Sequence, residues 1–339
     1  VLPNLLVHTA YVLTENLFLM FFAWGLCATL WALQAKRPFW FLAAAGIFFS
    51  VSMYTRPVMI FFPLFLCPAL VYAIWASKNK GGSVRLWLAA IPVLVMLAAA
   101  APRLAHTYIN YGHAVFTTQS GHHMLKWIYP CLRTPWSCSS YRIAWEENGP
   151  IVAQKLATLT KPEQMNPVKR DVIMRQIAVD RIRELGIVQV TVGMITGAIK
   201  NLAQTGFYET LTQFRQPTTF FSAMPGAHFG ERFANFVNIN SENTFMKLWV
   251  VAQLALLASR LVQLVGLGHG LRNSSVRPYA IILTMTIVYF LAVNGPIGNP
   301  KYRIPTEPAL IILFAIGFCN IMDWARRRKS QSKKLPTIL

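Results

Sequence analysis

The sequence predicts a mainly α-helical, polytopic membrane bundle of about seven spans. A large, mostly helical extracytoplasmic loop domain is expected between spans four and five. Three observations carry that prediction. The 339 residues are 55% hydrophobic but only 13% charged, against about 25% in average soluble domains, so a water-facing shell would leave large apolar patches uncovered. The apolar residues are gathered into long runs, close to the roughly 20 residues that cross about 30 Å of hydrocarbon. The basic excess, 32 Lys and Arg against 12 Asp and Glu, falls between those runs and in one tail.

Taken in order, the first clear span runs over Leu17–Ala35 and stops at Lys36-Arg37-Pro38. The second covers Phe39–Thr55 and stops at Arg56-Pro57, the third Pro57–Ser77, and the fourth Leu86–Ala101, with Pro102-Arg103 as its expected end. From Leu104 to Phe245 charges and Asn, Gln, Ser and Pro return, as in a loop domain outside the bilayer. Within it Pro167–Gly186 reads as a surface helix, with a loose stripe of Val172, Ile173, Ile177, Ile182 and Leu185 and an Asp171–Arg175 spacing suited to ion pairing. Ile187–Phe207, apolar on one side and interrupted by Gly, is expected to lie along the membrane interface. Three spans follow: Leu248–Leu267, in which Arg260 is expected to snorkel, then Pro278–Val293 and Pro308–Met322. The expected organisation is a first membrane part over 1–103, a loop domain over 104–245, a last membrane part over 246–324 and a basic tail over 325–339.

Sidedness follows from Lys and Arg in the short loops. Thirteen of them lie in the tail and in the loops at 36–37, 78–85 and 272–277, against Arg56, Lys301 and Arg303 on the opposite side. The thirteen-residue side is therefore expected to be cytoplasmic. Residues 1–16 lack a charged n-region and a cleavage site, and Leu2–Leu13 is already apolar. This is not a signal peptide, and the chain reads as a fragment lacking earlier spans.

A charge of +20 raises nucleic acid as a partner, but no soluble module with interleaved stacking aromatics is evident, so none is expected. Cys27, Cys67 and Cys319 fall in spans, where a thiol packs as a small apolar group. Cys131 and Cys138 flank a Pro-containing stretch of the outer loop and could form a disulfide. The spacing of Cys and His matches no metal-ligand pattern, and the adjacent pair His122-His123 reads as solvated.

The topology brings Glu15, Arg56, Lys301 and Arg303 to the outer ends of spans, at similar depth. One carboxylate with several cations at a membrane surface suits an anionic lipid head group, a phosphate above all. The plainer alternatives are a Glu15–Arg56 pair and interface anchoring of Arg56 and Arg303 beside Tyr54 and Tyr302.

Several stretches carry a resemblance. Thr14-Glu15 opens a long apolar helix, and Thr55-Arg56-Pro57 follows the next. Pro102-Arg103 runs through Tyr108-Ile109-Asn110-Tyr111-Gly112 to Thr117-Thr118-Gln119-Ser120-Gly121, and Asp171–Glu184 forms a loop helix. Asn299-Pro300-Lys301-Tyr302-Arg303-Ile304-Pro305 precedes Pro308. In this order, over nearly the whole chain, they resemble bacterial GT-C fold membrane glycosyltransferases of the protein-mannosyltransferase-like superfamily (glycosyltransferase family 39-like).

The resemblance implies transfer of a sugar from a polyprenyl-phosphate donor to a glycan, lipid or protein acceptor, at the outer face of the bacterial inner membrane. It implies that Glu15 serves catalysis by positioning hydroxyls, or by holding a divalent metal as in some relatives. Arg56, Asn110, Lys301, Tyr302 and Arg303 would bind substrate. The family's general base, an Asp or Glu of the first outer loop, would lie ahead of Val1. Lys301 stands where the family usually has Arg, keeping charge but losing bidentate geometry. Of the family's arginine and asparagine after the fourth span, only Asn110 carries over. Two other readings are a transporter or flippase of lipid-linked sugars, expected to show broken helices and repeats, and a non-catalytic membrane scaffold.

Overall fold

A computed structural model describes residues 14–77, 86–136, 141–205, 225–226, 229–239 and 244–332. Expectations for Cys138, the 78–85 loop and the end of the tail fall outside the described residues. Every element among the described residues is helical.

The apolar runs become helices α1 (Thr14–Ala32), α2 (Pro38–Thr55), α3 (Phe62–Ser77, entered through a 3₁₀ turn at Pro57–Phe61) and α4 (Ala90–Tyr111). After the loop region come α12 (Thr244–Arg272), α13 (Arg277–Asn294) and α14 (Glu307–Ser332). Two boundaries differ from expectation. Pro102 does not end α4, which continues to Tyr111 and closes on Gly112 in the left-handed region. Proline removes only one backbone donor, a loss that an apolar helix in a packed bundle tolerates. The last helix likewise runs past Asp323 into the basic tail as far as Ser332.

Helices α1 and α2 pair antiparallel, Phe18 beside Ser52, Phe22 beside Phe49 and Trp31 beside Phe41. Helices α3, α4 and α13 complete this part of the bundle. Its centre is a cluster of Phe18, Phe22, Phe49, Phe62, Tyr289 and Phe290, whose neighbouring rings lie 5.1–6.2 Å apart. Each such pair adds about 0.5–1.5 kcal/mol beyond the burial of its area. The Tyr289 hydroxyl donates to the Val58 carbonyl, fixing α13 to the turn that follows Arg56. On the other side α12 and α14 cross at Gly266 and Gly317, where a Cβ on either would strike the partner's backbone. Small residues of this kind set close helix approach in membranes.

The loop region holds α5 (Ser120–His123), a π turn at Met124–Ile128, α6 (Tyr129–Arg133), α7 (Tyr141–Ala157), α8 (Lys161–Gln164), α9 (Pro167–Glu184), α10 (Gly186–Ala203) and α11 (Phe229–Ile239). Helix α9 starts where Asn166 Oδ1 accepts from the amides of Val168 and Lys169, with Pro167 in the first turn. Its buried face is Val168, Asp171, Met174, Ile177 and Ala178, so of the expected stripe Ile177 is buried and Ile173 packs partly buried against the same cluster. The helix is turned so that Asp171 faces inward.

Among the described residues eight helices are long and apolar enough to cross a membrane. The one added to the seven expected is α10. It buries Gly193, Thr196, Gly197 and Asn201, with Gly193 against Leu132 and Gly197 against Gly295 and Pro296. Its other face leaves Val188, Val192, Ile195 and Ile199 exposed.

Candidate functional site

Glu15, Arg56 and Lys301 meet. Each comes from the end of an element. Glu15 lies in the first turn of α1. Arg56 caps α2 with extended backbone (φ −142°, ψ 112°), because the residue before a proline is pushed out of the helical region. Lys301 enters the 3₁₀ turn Pro300–Thr306, where its amide donates to Asn299 Oδ1 at 2.8 Å. Arg56 Nη1 then stands 3.6 Å, and Lys301 Nζ 3.3 Å, from the same oxygen, Glu15 Oε1. The carboxylate is nearly buried, with 9% of its side chain exposed, while Arg56 keeps 24% and Lys301 38%. One carboxylate and two cations leave the cluster one positive charge in excess, borne by the two groups that reach solvent.

Arg303 does not join them. In a 3₁₀ turn three residues complete each revolution, so residues two apart point in different directions. Arg303 is fully buried, its Nε 2.5 Å from Glu307 Oε1 and its Nη1 donating to the carbonyls of Asn201 (2.9 Å) and Gln204 (2.5 Å). Arg260 arrives at the same carboxylate from α12, Nη2 to Oε1 at 3.8 Å, while its Nε donates to the Leu202 carbonyl and its Nη1 to Gln263. Arg260 therefore does not snorkel. It lies 16 residues from Thr244 and 12 from Arg272, about 24 and 18 Å along the axis, beyond a side chain's reach. Arg260 Nη2, Arg303 Nη2 and Glu307 Oε2 are buried and make no hydrogen bond among the described residues.

Tyr302 is half-buried and its carbonyl accepts from Asn294 Nδ2 at 2.7 Å. Asn110, exposed on the last turn of α4, donates to the His106 carbonyl at 2.8 Å.

A third feature borders that cluster. Asp171, 3% exposed, accepts from Ser120 Oγ (2.6 Å) and the amides of Gly121 (2.8 Å) and His122 (3.3 Å). Gly121 has no room for a side chain, since a Cβ would strike the backbone of α9 at Asp171 and Arg175. Phe116, four residues ahead of this turn, packs edge-on against Tyr54, two residues before Arg56, at 5.3 Å between centroids. The turn is thus pinned beside the end of α2, and His123 lies within electrostatic reach of Arg56. Burial, then His122 and Arg56, hold the His123 imidazole below its usual pKa. Burial and Lys126 do the same for His122, against the pull of Asp171.

Asp171, His123, Glu307 and Asn201 were not singled out as site-forming by the sequence. Asn201 Nδ2 donates to the Ile297 carbonyl and its Oδ1 accepts from the Asn299 amide, setting the turn that presents Lys301. Its partners lie almost a hundred residues away, and no local pattern reveals them. Cys131 is disulfide-bonded; Cys138, the expected partner, lies outside the described residues. Among the described residues no three His, Cys, Asp or Glu gather where a metal ion could sit. Glu15, facing two cations, is a poor ligand for a divalent ion.

No protein-family model, curated protein or solved structure matches the chain significantly.

Proposed function

We propose that this chain is a membrane glycosyltransferase of the GT-C kind, moving a sugar from a polyprenyl-phosphate donor to an acceptor at the outer face. The observation that carries the reading is the meeting of Arg56 and Lys301 on one Glu15 oxygen, with both cations still open to solvent. As the sugar leaves, its phosphate gathers negative charge. Preorganised cations at that point lower the barrier, Arg56 offering a two-pronged fork and Lys301 a point charge. Glu15 holds the two cations apart and accepts hydrogen bonds from donor or acceptor hydroxyls. Arg303 shapes the turn that presents Lys301.

In this reading the basic loops and tail face the cytoplasm, and α10 lies in the outer interface with Val188, Val192, Ile195 and Ile199 toward lipid. The test is transfer of labelled sugar from a polyprenyl-phosphate-linked donor in membranes carrying the full protein. Replacing both Arg56 and Lys301 by Gln is expected to lower transfer at least 100-fold with the protein still inserted. Full activity in that variant would overturn the proposal.

A further inference from the structure

We infer that His123 is a third contact for the phosphate bound at Glu15, Arg56 and Lys301, engaging it as imidazolium. The inference rests on the phosphate reading of that site and adds a residue and a proton to it. The ligand class is a phosphate monoester dianion, as on the carrier lipid once its sugar has left.

Three observations support it. The turn carrying His123 is rigidly placed: a buried carboxylate receives three hydrogen bonds from residues 120–122, and Gly121 lies directly on the α9 backbone. Phe116, four residues ahead of that turn, packs on Tyr54, two residues before the extended residue that ends α2, and Arg56 acts electrostatically on the His123 ring. The His123 ring is half-buried and makes no hydrogen bond or ion pair among the described residues. An imidazole within electrostatic reach of Arg56 and without a side-chain partner among the described residues is suited to an incoming anion.

The charges on it define a proton linkage. The groups acting on the ring are Arg56 from the end of α2 and His122 from its own turn, and both disfavour imidazolium. Lys126, Arg170 and Asp171 act on His122. With the site empty, burial, His122 and Arg56 favour the neutral ring. A dianion beside it reverses the balance, so binding draws a proton onto the ring and weakens as pH rises.

Calorimetric titration of the full protein in lipid nanodiscs tests this, with a polyprenyl monophosphate as probe in two pH 7 buffers of different ionisation enthalpy. Wild type is expected to take up a substantial fraction of a proton more than His123→Gln, which binds about 10-fold more weakly, as for loss of one charged hydrogen bond. His123→Lys, with a permanent cation, is expected to bind like wild type without the extra proton, and it serves if the Gln variant fails to fold. A polyprenol without phosphate should show no uptake. Inorganic phosphate bound as tightly, with the same proton difference, would keep the contact but overturn the lipid as its source. Equal proton uptake and affinity within twofold for wild type and His123→Gln would overturn the role of His123 while leaving the phosphate reading intact. Failure of wild type to bind either phosphate probe would remove both.

Discussion

Two clusters of the same composition stand in this protein, each with one glutamate and two cations, and they differ in what surrounds them. Around Glu15 the cations come from element ends and keep a quarter to two-fifths of their side chains exposed. Around Glu307 both guanidinium groups are occupied by backbone carbonyls and a glutamine as well as by the carboxylate, and Arg303 has no exposure. Charges shut away from solvent among their own chain's groups, even with Arg260 Nη2, Arg303 Nη2 and Glu307 Oε2 left without a hydrogen bond, are out of reach of an incoming ligand. The first cluster is therefore the one we propose as the binding site, and the second ties α10, α12 and α14 together.

That contrast predicts unequal responses to the same substitution. Glu307→Gln leaves two buried cations without their counter-charge and is expected to cost about 3–5 kcal/mol, seen as a large fall in Tm or loss of folded protein from the membrane. Glu15→Gln is expected to leave Tm nearly unchanged while lowering transfer strongly. Equal Tm losses would erase the distinction between the clusters.

A smaller effect is expected at Asp171, whose carboxylate organises the turn beside the first cluster. Asp171→Ala leaves the Gly121 and His122 amides without their acceptor, at about 1–3 kcal/mol. Faster hydrogen exchange at those two amides would show it, and unchanged protection would refute the anchoring.

The smallest effect belongs to the surface pair Lys169–Glu163, which carries the same charges in water. The hydrogen bonds from Lys169 and Thr160 lower the Glu163 pKa from 4.5 to about 2. A depressed carboxyl contributes fully above its unfolded pKa and loses that contribution as pH falls through the folded one. Carboxyl titration by ¹³C NMR should therefore show Glu163 ionised at pH 4, with its midpoint near 2. Solvent screening discounts that contribution for an exposed pair, so Lys169→Ala should lower Tm only slightly at pH 7.

The spans were legible because apolar runs of membrane length leave few other structures open to the chain. The meeting of Glu15, Arg56 and Lys301 was legible too, since alternating spans return the same end of the bundle at those positions. Grouping Arg303 with Lys301 failed because linear proximity hides the direction of a 3₁₀ turn. Arg260 looked like a snorkelling defect because its partner, Glu307, opens a helix two elements later. Asp171 looked like half of an i,i+4 pair, whereas its hydrogen-bond donors sit about fifty residues earlier in the chain. Local spacing reports neighbours on one helix and is silent about a turn docked from elsewhere.

The most direct test compares polyprenyl monophosphate affinity in nanodiscs for wild type and Arg56→Gln/Lys301→Gln, with Tm measured alongside. Loss of two charge-assisted contacts at about 1.5–3 kcal/mol each predicts an affinity at least 100-fold weaker with Tm preserved. Undiminished affinity in that variant would contradict the assignment of the Glu15 cluster as the phosphate site.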